Sequence, residues 1–578
     1  MVSLSINGKH VEMPEGSTIL EAAKKLDIHI PTLCHFDLHD ISMVNEVATC
    51  RVCMVEVAGR RNLAPACATP ITPNMEVLTH TPRTISARRT VVELILSNHP
   101  KNCLTCTKNT NCELQSLAAE LSIHDIKYAG EMAQHRMDTS SSALVREMSK
   151  CVLCRRCETM CSKVQSVHVL SAVNRGFETS MGTPFNMPIT ETGCVSCGQC
   201  VAVCPTAALS EVNNVAKLWA LLTDPDKFVV VQTAPAVRAA LGEPFGMPAG
   251  AAVTGKMVSA LRELGFDRVF DTDFAADLTI MEEAAEFIHR VQHGGKLPIL
   301  TSCCPGWVKF FEHQFSDMLD VPSTCKSPQQ MFGAIAKTYL ADKLGIPRDK
   351  LVVVSVMPCI AKKYESGRTE MGRDGIPDVD LAITTRELAK MIEEAGINFV
   401  TLPDGQFDSP MGESTGAGVI FGASGGVLEA ALRTAYEWLT GQTLEKVDFV
   451  ALRGMKGIKE ATLRIGDMDV NVAVASGLGN ARQLLENIRA GKANYHAIEI
   501  MACPGGCIDG GGQPYHHGNI EILEKRTQAL FSEDRGKRLR KSHENPDIQQ
   551  LYAEFLGEPH SDLAQKLLHT KYKARPRI

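Results

Sequence analysis

Two groups of four cysteines share one internal spacing. The groups read Cys151-x2-Cys154-x2-Cys157-x3-Cys161 and Cys194-x2-Cys197-x2-Cys200-x3-Cys204-Pro205. Spacings this short let three thiolates surround one face of a cubane, while the fourth reaches a neighbouring cluster. The repeat therefore predicts two [4Fe–4S] clusters. Zinc is the alternative, although zinc sites usually take their ligands from two well-separated pairs.

The displaced fourth ligand divides the eight thiolates between the two clusters, as in two-cluster ferredoxins. The first predicted ligand set is Cys151, Cys154, Cys157 and Cys204. The second predicted ligand set is Cys161, Cys194, Cys197 and Cys200.

Two further sets of candidate ligands precede this repeat. The first set, which suits a [2Fe–2S] cluster, is Cys34, Cys50, Cys53 and Cys67. The second set, which predicts a [4Fe–4S] cluster with one imidazole ligand, is His99, Cys103, Cys106 and Cys112. A zinc ribbon and a three-Cys, one-His zinc knot are the alternatives. An imidazole in place of a thiolate removes negative charge and would raise the potential of that cluster. Four clusters in series form an electron-transfer chain, or wire, which needs an electron acceptor or donor at its end.

Three short islands supply candidate residues for that end. They span 301–307, 357–363 and 501–507, and their cysteines are Cys303, Cys304, Cys359, Cys503 and Cys507. Each island is small or rich in glycine and proline, and two follow apolar, strand-like runs, where α/β folds place ligands. Five cysteines are more than one cubane needs, so four could bind metal and one could remain a free thiol. A further cysteine, Cys325, is predicted to be a buried structural thiol, with a redox-sensitive thiol as the alternative.

The composition limits the function classes. The chain has 578 residues, 21 of them cysteines, with 44% apolar residues, 22% charged residues and a net charge of −6. This balance excludes a disordered chain and gives no reason to expect nucleic acid as a partner. No apolar run reaches the roughly 18 residues of a membrane helix, and no signal peptide is visible. We therefore expect a cytoplasmic protein without membrane contact, in which grouped cysteines bind metal or act as catalytic thiols.

The elements that position these residues follow from local patterns. Asn7-Gly8 predicts a β-hairpin, and the capping box from Thr18 to Glu21 predicts a helix. Residues 80–140 are expected to be largely helical. From about 215, strand-like runs alternate with helical stretches such as 279–292 and 385–395, which predicts an α/β region with parallel or mixed sheets. The polar, basic segment beyond 523 is most simply interpreted as a solvated helical tail.

At the three islands the chain resembles the [FeFe]-hydrogenases, and the likeness covers about 1–520. The first 200 residues also resemble the large iron–sulfur subunit of respiratory NADH dehydrogenase. The resemblance implies an H-cluster, in which a [4Fe–4S] cubane is joined to a diiron subsite carrying CO, cyanide and azadithiolate. By this resemblance, Cys507 bridges to the subsite, and the cubane ligands are Cys304, Cys359, Cys503 and Cys507.

The same resemblance implies a proton relay and a pocket around the subsite. Cys303 would be the first proton acceptor, followed by Glu283, Ser323 and Glu286. The two glutamates are three residues apart, so they share one face of a helix, where ordinary solvated glutamates are the alternative. Lys362 matches a lysine that pairs with a cyanide ligand. The matching pocket residues are Ala234, Pro235, Ser327, Pro328, Gln329, Met357, Met501 and Phe421.

We therefore expect a multidomain α+β and α/β protein, with ferredoxin-type cluster domains before an [FeFe]-hydrogenase α/β catalytic domain. The expected domains are a ubiquitin-like [2Fe–2S] ferredoxin domain at 1–79, a His/Cys3 [4Fe–4S] domain at 80–140, a two-[4Fe–4S] ferredoxin-like domain at 141–213, an H-cluster catalytic domain at 214–522 and a small-subunit-like extension at 523–578.

The expected activity is the reversible reduction of protons to dihydrogen, in the catalytic subunit of an NAD(P)-linked, hetero-oligomeric complex. The expected partners are a flavin-bearing NAD(P) diaphorase subunit and a small [2Fe–2S] subunit, with ferredoxin as a further partner if the complex bifurcates electrons. A stand-alone, ferredoxin-linked hydrogenase is one alternative. A non-catalytic iron–sulfur scaffold is another, but it would not need Cys303, the two glutamates or Lys362.

Overall fold

The computed structural model describes residues 1–38, 43–45 and 48–576. The N-terminal unit is a small sheet packed on one helix. Its elements are β1 Val2–Ile6, β2 Lys9–Met13, α1 Ile19–Lys25, β3 Asp37–Leu38, β4 Met43–Val44, β5 Met54–Val57, β6 Ala64–Pro65 and β7 Met75–Leu78. The five-stranded sheet has the order β2-β1-β7-β5-β6, and β3 and β4 form a separate pair.

The hairpin and the first helix are confirmed. β1 and β2 pair antiparallel, and Asn7 and Gly8 have φ of 52° and 80°, as a type I′ turn requires. At the start of α1 the Glu21 amide donates to Thr18 Oγ1 at 3.2 Å, and the Thr18 amide donates to Glu21 Oε2 at 2.6 Å. This closed capping box satisfies two backbone donors that the helix leaves free.

Short elements connect this unit to the two cysteine groups. They are α2 Pro82–Ser97, α3 Glu113–Glu120, β8 Leu144–Arg146, α4 Arg156–Thr159, β9 Ser171–Val173, β10 Ser180–Gly182, α5 Gln199–Ala202 and β11 Leu209–Glu211. The repeated sequence gives a repeated backbone, because φ is positive at Leu153 and Arg155 and again at Ser196 and Gly198. Each group thus turns sharply around the space that its thiols face.

The prediction that 80–140 is largely helical is wrong beyond α3. Residues 123–137 contain neither helix nor strand. Contacts distant in sequence hold this stretch extended, since the Ala133 amide donates to Asn98 Oδ1 at 2.7 Å and Asp138 exchanges two backbone hydrogen bonds with Arg146. Tertiary pairing therefore overrides the local helical preference.

A larger α/β unit follows. Its strands are β12 Phe228–Thr233, β13 Arg268–Asp271, β14 Ile299–Leu300, β15 Leu351–Met357, β16 Gly372–Arg373, β17 Ile376–Pro377, β18 Leu381–Thr384, β19 Ile458–Ile465, β20 Met468–Ser476 and β21 Ala497–Met501. Its helices are α6 Val215–Leu222, α7 Thr254–Glu263, α8 Thr272–His293, α9 Pro305–Gln314, α10 Pro328–Ile335, α11 Ala341–Leu344, α12 Ala361–Ser366, α13 Thr385–Glu394, α14 Gly416–Val419, α15 Gly426–Thr440 and α16 Leu478–Arg489.

Two four-stranded sheets form the centre of this unit, which confirms the α/β prediction. The first, β13-β12-β15-β18, is wholly parallel, and the second, β14-β21-β20-β19, is mixed, with β19 antiparallel to β20. Each of the three islands begins where β14, β15 or β21 ends, and Ala234 directly follows β12. The islands therefore lie at the carboxyl ends of strands from both sheets, the usual ligand position in α/β folds.

The last segment folds onto this unit as α17 Ile520–Gly536, α18 Pro546–Leu551 and α19 Asp562–Leu568. Leu551 and Leu568 join one apolar core with Phe270. Arg526 is fully buried and paired with Glu243 at 2.6 Å. The interpretation as a solvated tail is therefore wrong, because the apolar residues and paired charges of the extension are packed against the α/β unit. Among the described residues, none of the helices is both long and apolar enough to cross a membrane.

Candidate metal centres and active site

One cavity, of about 70 Å³, lies where the carboxyl ends of the two sheets meet. The three islands bring five cysteines to its wall: Cys303, Cys304, Cys359, Cys503 and Cys507. Most of the expected pocket residues line it as well, namely Ala234, Pro235, Pro328, Gln329, Met357, Met501 and Phe421. Residues up to about 270 positions apart in the sequence thus face one space. Its lining is almost wholly apolar apart from the thiols, Gln329 and Lys362.

Lys362 points its ammonium at this wall. Its Nζ donates to the Cys303 carbonyl oxygen at 3.1 Å and to Glu365 Oε2 at 2.9 Å. Burial disfavours the ammonium, but the Glu365 carboxylate outweighs this effect and raises the pKa of Lys362. The cavity therefore has one fixed positive charge beside its thiols, which suits an anionic group bound there.

Glu365 is a site residue that the sequence interpretation missed. Its Oε2 also accepts hydrogen bonds from Ser327 Oγ at 2.8 Å and Gln329 Nε2 at 2.9 Å. Ser327 lies behind the wall rather than on it, and acts by fixing Glu365. The available signal was the spacing, because Glu365 follows Lys362 by three positions on α12 and so shares its face.

The thiols of the cavity are buried, and burial keeps them protonated until a metal replaces their protons. Burial raises the pKa of Cys304, Cys503 and Cys507, and raises that of Cys359 to about 12. A bound cation would remove this penalty, because it replaces the protons and compensates the thiolate charges. Among all described residues, no three of these sulfurs lie within 4.8 Å of one another. A single zinc ion would draw its sulfurs to within about 3.8 Å of one another.

A chain of exchangeable groups lies near Cys303, whose pKa is raised by burial and by the charges of Cys304 and Glu283. Glu283 and Glu286 lie on α8 and are only 4% and 5% exposed, so their interpretation as solvated helix residues is wrong. Burial, followed by the charge of Glu286, raises the pKa of Glu283 to about 8, although a hydrogen bond from Ser323 opposes the rise. Ser323 Oγ also donates to Glu286 Oε2 at 3.0 Å, and Glu286 pairs with Arg290. Cys325, buried as predicted, places its sulfur 3.9 Å from Glu286 Oε2.

The two cysteine groups of 151–204 line two separate cavities of about 20 Å³ each. One cavity is lined by Cys151, Cys154, Cys157 and Cys204. The other is lined by Cys161, Cys194, Cys197 and Cys200. The structure thus brings together both predicted sets, including the fourth cysteine that each group contributes to the other cavity.

The four cysteines of the N-terminal unit form one contact network. Cys34 is hydrogen-bonded to Cys50 and Cys67, and these two thiols lower the pKa of Cys34 to about 2. Cys53 is hydrogen-bonded to Cys67 in the same way. Thiols that already share one proton network can exchange it for a cationic cluster with little movement.

His99 has the properties of a metal ligand. Burial lowers the pKa of His99 to about 4, so its ring is neutral, as a ligand must be. Its Nδ1 is buried and has no hydrogen-bond partner within the described ranges. An orphaned imidazole nitrogen is unfavourable inside a protein and indicates an absent ligand. Cys106 and Cys112 lie near each other, since the charge of Cys106 contributes to the raised pKa of Cys112.

The cysteine-lined sites form a connected series. Cys34, Cys50, Cys112 and Cys154 belong to a single apolar core, so both N-terminal sets approach the Cys154 cavity. At the other end, Gln165 Nε2 donates to the Ala502 carbonyl oxygen at 2.9 Å, and Gln199 Nε2 donates to that of Asp509 at 2.8 Å. Segments around one cavity are thereby bonded directly to the third island.

Buried sulfur sites in series, ending at a thiol-lined cavity with a fixed cation and a chain of exchangeable groups, define a multi-cluster iron–sulfur oxidoreductase. Several known families match the chain. Residues 227–511 match the iron only hydrogenase large subunit, C-terminal domain, and residues 520–575 match the iron hydrogenase small subunit. The N-terminal matches are a 2Fe-2S iron-sulfur cluster binding domain at 1–82, an NADH-ubiquinone oxidoreductase-G iron-sulfur binding region at 88–127 and a 4Fe-4S dicluster domain at 150–208.

Similar proteins are known over the full length. The chain is 62% identical to the NADP-reducing hydrogenase subunit HndD of Solidesulfovibrio fructosivorans, across all of both chains. It is 40% identical to iron hydrogenase 1 of Clostridium pasteurianum, across 99% of this chain and all of that one. The structure of apo [FeFe]-hydrogenase HydA1 from Chlamydomonas reinhardtii covers 63% of this chain and all of its own, with 43% identity and a TM-score of 0.57. The chain belongs to the iron hydrogenases, the [FeFe]-hydrogenase family.

Proposed function

We propose that this chain is a catalytic subunit that reversibly reduces protons to dihydrogen at an H-cluster, with four iron–sulfur clusters carrying the electrons. One observation carries the proposal: three distant islands converge on a cavity that has four thiols for a cubane, a fifth thiol at the start of a polar chain, and a fixed ammonium. A non-catalytic scaffold needs neither of the last two features.

In this proposal Cys304, Cys359, Cys503 and Cys507 would hold the cubane of the H-cluster, and the Cys507 thiolate would also serve the diiron subsite. When bound, the H-cluster supplies the centre at which electrons and protons combine. Met357, Met501 and Phe421 exclude water from that centre with apolar side chains. Lys362 orients an anionic ligand of the subsite, because Glu365 fixes its position.

Cys303 exchanges protons with the centre, and Glu283, Ser323 and Glu286 carry them onward. A relay needs groups that can both accept and donate, and a carboxyl group with a pKa of about 8 can do so near neutral pH. The hydrogen bond from Ser323 to Glu286 continues the chain toward the end of α8 where Arg290 lies.

Electrons reach the centre through the N-terminal region. We propose the domain limits 1–79, 80–140, 141–213, 214–522 and 523–578, with one [2Fe–2S] cluster on the four N-terminal cysteines, one [4Fe–4S] cluster on His99 with three cysteines, and two in the Cys151–Cys204 region. The order of the family matches along the chain supports this division. In this proposal both N-terminal sets pass electrons to the cluster of the Cys154 cavity, because residues of both sets share an apolar core with Cys154.

We propose a cytoplasmic, hetero-oligomeric complex with a flavin-bearing NAD(P) diaphorase subunit and a small [2Fe–2S] subunit. The similarity to a subunit of an NADP-reducing hydrogenase supports such partners. The proposal includes electron bifurcation at the flavin of the partner subunit, with ferredoxin as the second electron carrier. Co-purification from the native organism, with flavin content and NAD(P)H-dependent dihydrogen production as readouts, tests this part. A monomer active with reduced ferredoxin alone would favour a stand-alone hydrogenase.

Infrared spectroscopy of the matured protein tests the active-site assignment. Bands of metal-bound CO and cyanide should appear in the wild type and disappear in Cys503→Ser, which loses a cubane ligand. Cys325→Ser is the matched control, since this cysteine is also buried but does not line the active-site cavity, and it should keep the bands. A matured protein with its iron–sulfur clusters but without these bands would refute the H-cluster assignment.

A further inference from the structure

The C-terminal extension places an imidazole next to the outer end of the proposed relay. Thr324 Oγ1 lies 3.2 Å from Glu286 Oε2 and 2.7 Å from His569 Nδ1. On its other side, His569 Nε2 lies 3.0 Å from Glu282 Oε2. Glu282 is fully buried and His569 is 9% exposed. The two α8 glutamates are therefore joined by an unbroken path of hydrogen bonds through a hydroxyl and a ring.

The other neighbour of Glu286 cannot continue a relay. Arg290 pairs with Glu286, and its guanidinium also donates to the carbonyl oxygens of Val321 at 2.7 Å and Pro322 at 2.9 Å. An arginine does not release a proton in a protein, so it can hold Glu286 in place but cannot transmit its charge. A hydroxyl and an imidazole each accept and donate, so the side of Thr324 and His569 remains conductive.

We propose that Thr324, His569 and Glu282 form an outer branch of the proton route, which makes the C-terminal extension part of the catalytic path. This inference rests on the proposed relay through Glu283, Ser323 and Glu286. In the outward direction the Glu286 acid proton passes to Thr324 Oγ1, and the hydroxyl proton of Thr324 passes to His569 Nδ1. The proton on His569 Nε2 then passes to Glu282 Oε2. Each step breaks one O–H or N–H bond and forms another, so one proton moves from Glu286 to Glu282.

The branch reaches the surface at His560. One imidazole nitrogen of His560, one of His569 and one carboxylate oxygen of Glu282 all lie within 4.8 Å of one another. One water molecule can bridge gaps of this size. His560 is half-buried, and its Nδ1 lies 3.0 Å from Nε2 of the exposed residue Gln565. Its Nε2 is a buried atom without a hydrogen-bond partner within the described part of the chain. The backbone amide of His560 and the Tyr552 hydroxyl both donate to Glu282, which fixes the carboxylate between the two rings.

The variant His569→Gln tests the branch, because an amide keeps hydrogen bonds but does not relay protons. We expect dihydrogen evolution to fall by about 10²-fold, because the other neighbour of Glu286 does not carry protons. The CO and cyanide bands and the iron content should stay unchanged. A second readout needs no turnover: in protein lacking the diiron subsite, stopped-flow infrared after mixing with D2O should show slower exchange at the buried carboxyl groups.

His543→Gln is the matched control. His543 also lies in the extension and also joins a threonine hydroxyl to a carboxylate, at 3.1 Å from Thr434 Oγ1 and 2.9 Å from Glu437 Oε2, but it does not contact the relay. It should change neither turnover nor carboxyl exchange. Equal losses in both variants would show that the extension acts only by stabilising the fold, and would overturn the branch.

A second pair of variants covers the case in which His569→Gln does not fold. Thr324→Val removes the bridging hydroxyl at constant shape and should slow carboxyl exchange, while Thr324→Ser should restore it. Unchanged exchange in Thr324→Val would overturn the branch. Glu283→Gln separates the two proposals: if it is inactive while His569→Gln is fully active, the inner relay stands and the outer branch fails. If Glu283→Gln is itself active, the inner relay fails.

Discussion

Replacing Glu283 with glutamine tests whether this residue carries protons and whether it is a buried acid. Glutamine has nearly the same shape but no acid proton. We therefore expect dihydrogen evolution and oxidation to fall by at least about 10²-fold, the lower end of the contribution of a positioned proton-transfer group. The iron content and the infrared bands of the variant should match those of the wild type, because Glu283 is not one of the proposed metal ligands.

The same substitution should change how stability depends on pH. The pKa of Glu283 rises from 4.5 to about 8 on folding, because burial and the charge of Glu286 disfavour its carboxylate. The folded state thus keeps a proton that the unfolded chain releases. The contribution of Glu283 to stability is complete below about pH 4.5 and is lost as the pH rises to about 8. Each pH unit changes this contribution by about 1.4 kcal/mol, so the wild type at pH 7 has lost roughly 3 kcal/mol of the stabilisation that Glu283 provides at low pH.

Thermal unfolding at a fixed scan rate, followed from about pH 5 to about pH 9, measures this effect. The unfolding temperature of Glu283→Gln should rise relative to that of the wild type as the pH increases to about 8. Above that pH the difference between the two should stay constant. Glu286→Gln is the control on the same helix. It should be less stable at every pH, since it leaves the Arg290 guanidinium without its carboxylate. A stability difference that does not vary with pH would refute the buried acid, and more than half of wild-type turnover would refute the relay.

Three further substitutions test other parts of the site. Cys303→Ser should abolish most turnover while the iron content stays constant, because a hydroxyl is too weak an acid to relay; full activity would exclude Cys303 from the path. His99→Cys should keep the fold and lower the potential of one cluster, because a thiolate adds negative charge. A redox titration followed by electron paramagnetic resonance measures this potential. If the variant loses zinc instead of iron, the site is a zinc knot. Gly506→Ala should prevent assembly of the H-cluster, seen as missing infrared bands. Gly506 has φ of 100°, and a Cβ there would lie 2.6 Å from the Ser424 amide nitrogen, so Cys507 would have to move.

Local patterns predicted much of the fold. The Asn7-Gly8 turn, the capping box at Thr18 and the buried strands β12 and β15 depend mainly on neighbouring residues, and the structure has them where the sequence placed them. The stretch 123–137 shows the limit of this reasoning. Its conformation depends on partners such as Asn98 and Arg146, whose proximity no local propensity records.

The candidate site was also predicted from the sequence only in part. The cysteine spacing indicated which thiols belong together, because a cubane imposes its own geometry on the chain. Glu365 escaped notice, although it fixes Lys362, because a glutamate on a helix is ordinary until its burial is known. The extension was underestimated for the opposite reason: a high content of charged residues suggested solvent exposure, yet Arg433 and Asp534 are both fully buried as a pair at 2.9 Å.

In the proposed mechanism, electrons and protons reach the cavity through regions of different chemical character. On the electron side, thiols are embedded in apolar cores, where a cluster is shielded from water and its potential depends on few polar groups. On the proton side, α8 and the extension supply carboxyl groups, hydroxyls and imidazoles within hydrogen-bond distance of one another. A polar chain among the clusters would admit water to them, and an apolar wall across the relay would stop proton transfer. The extension covers the proton side, where it buries polar groups that would otherwise exchange freely with solvent, so its removal should impair proton delivery before it affects cluster assembly.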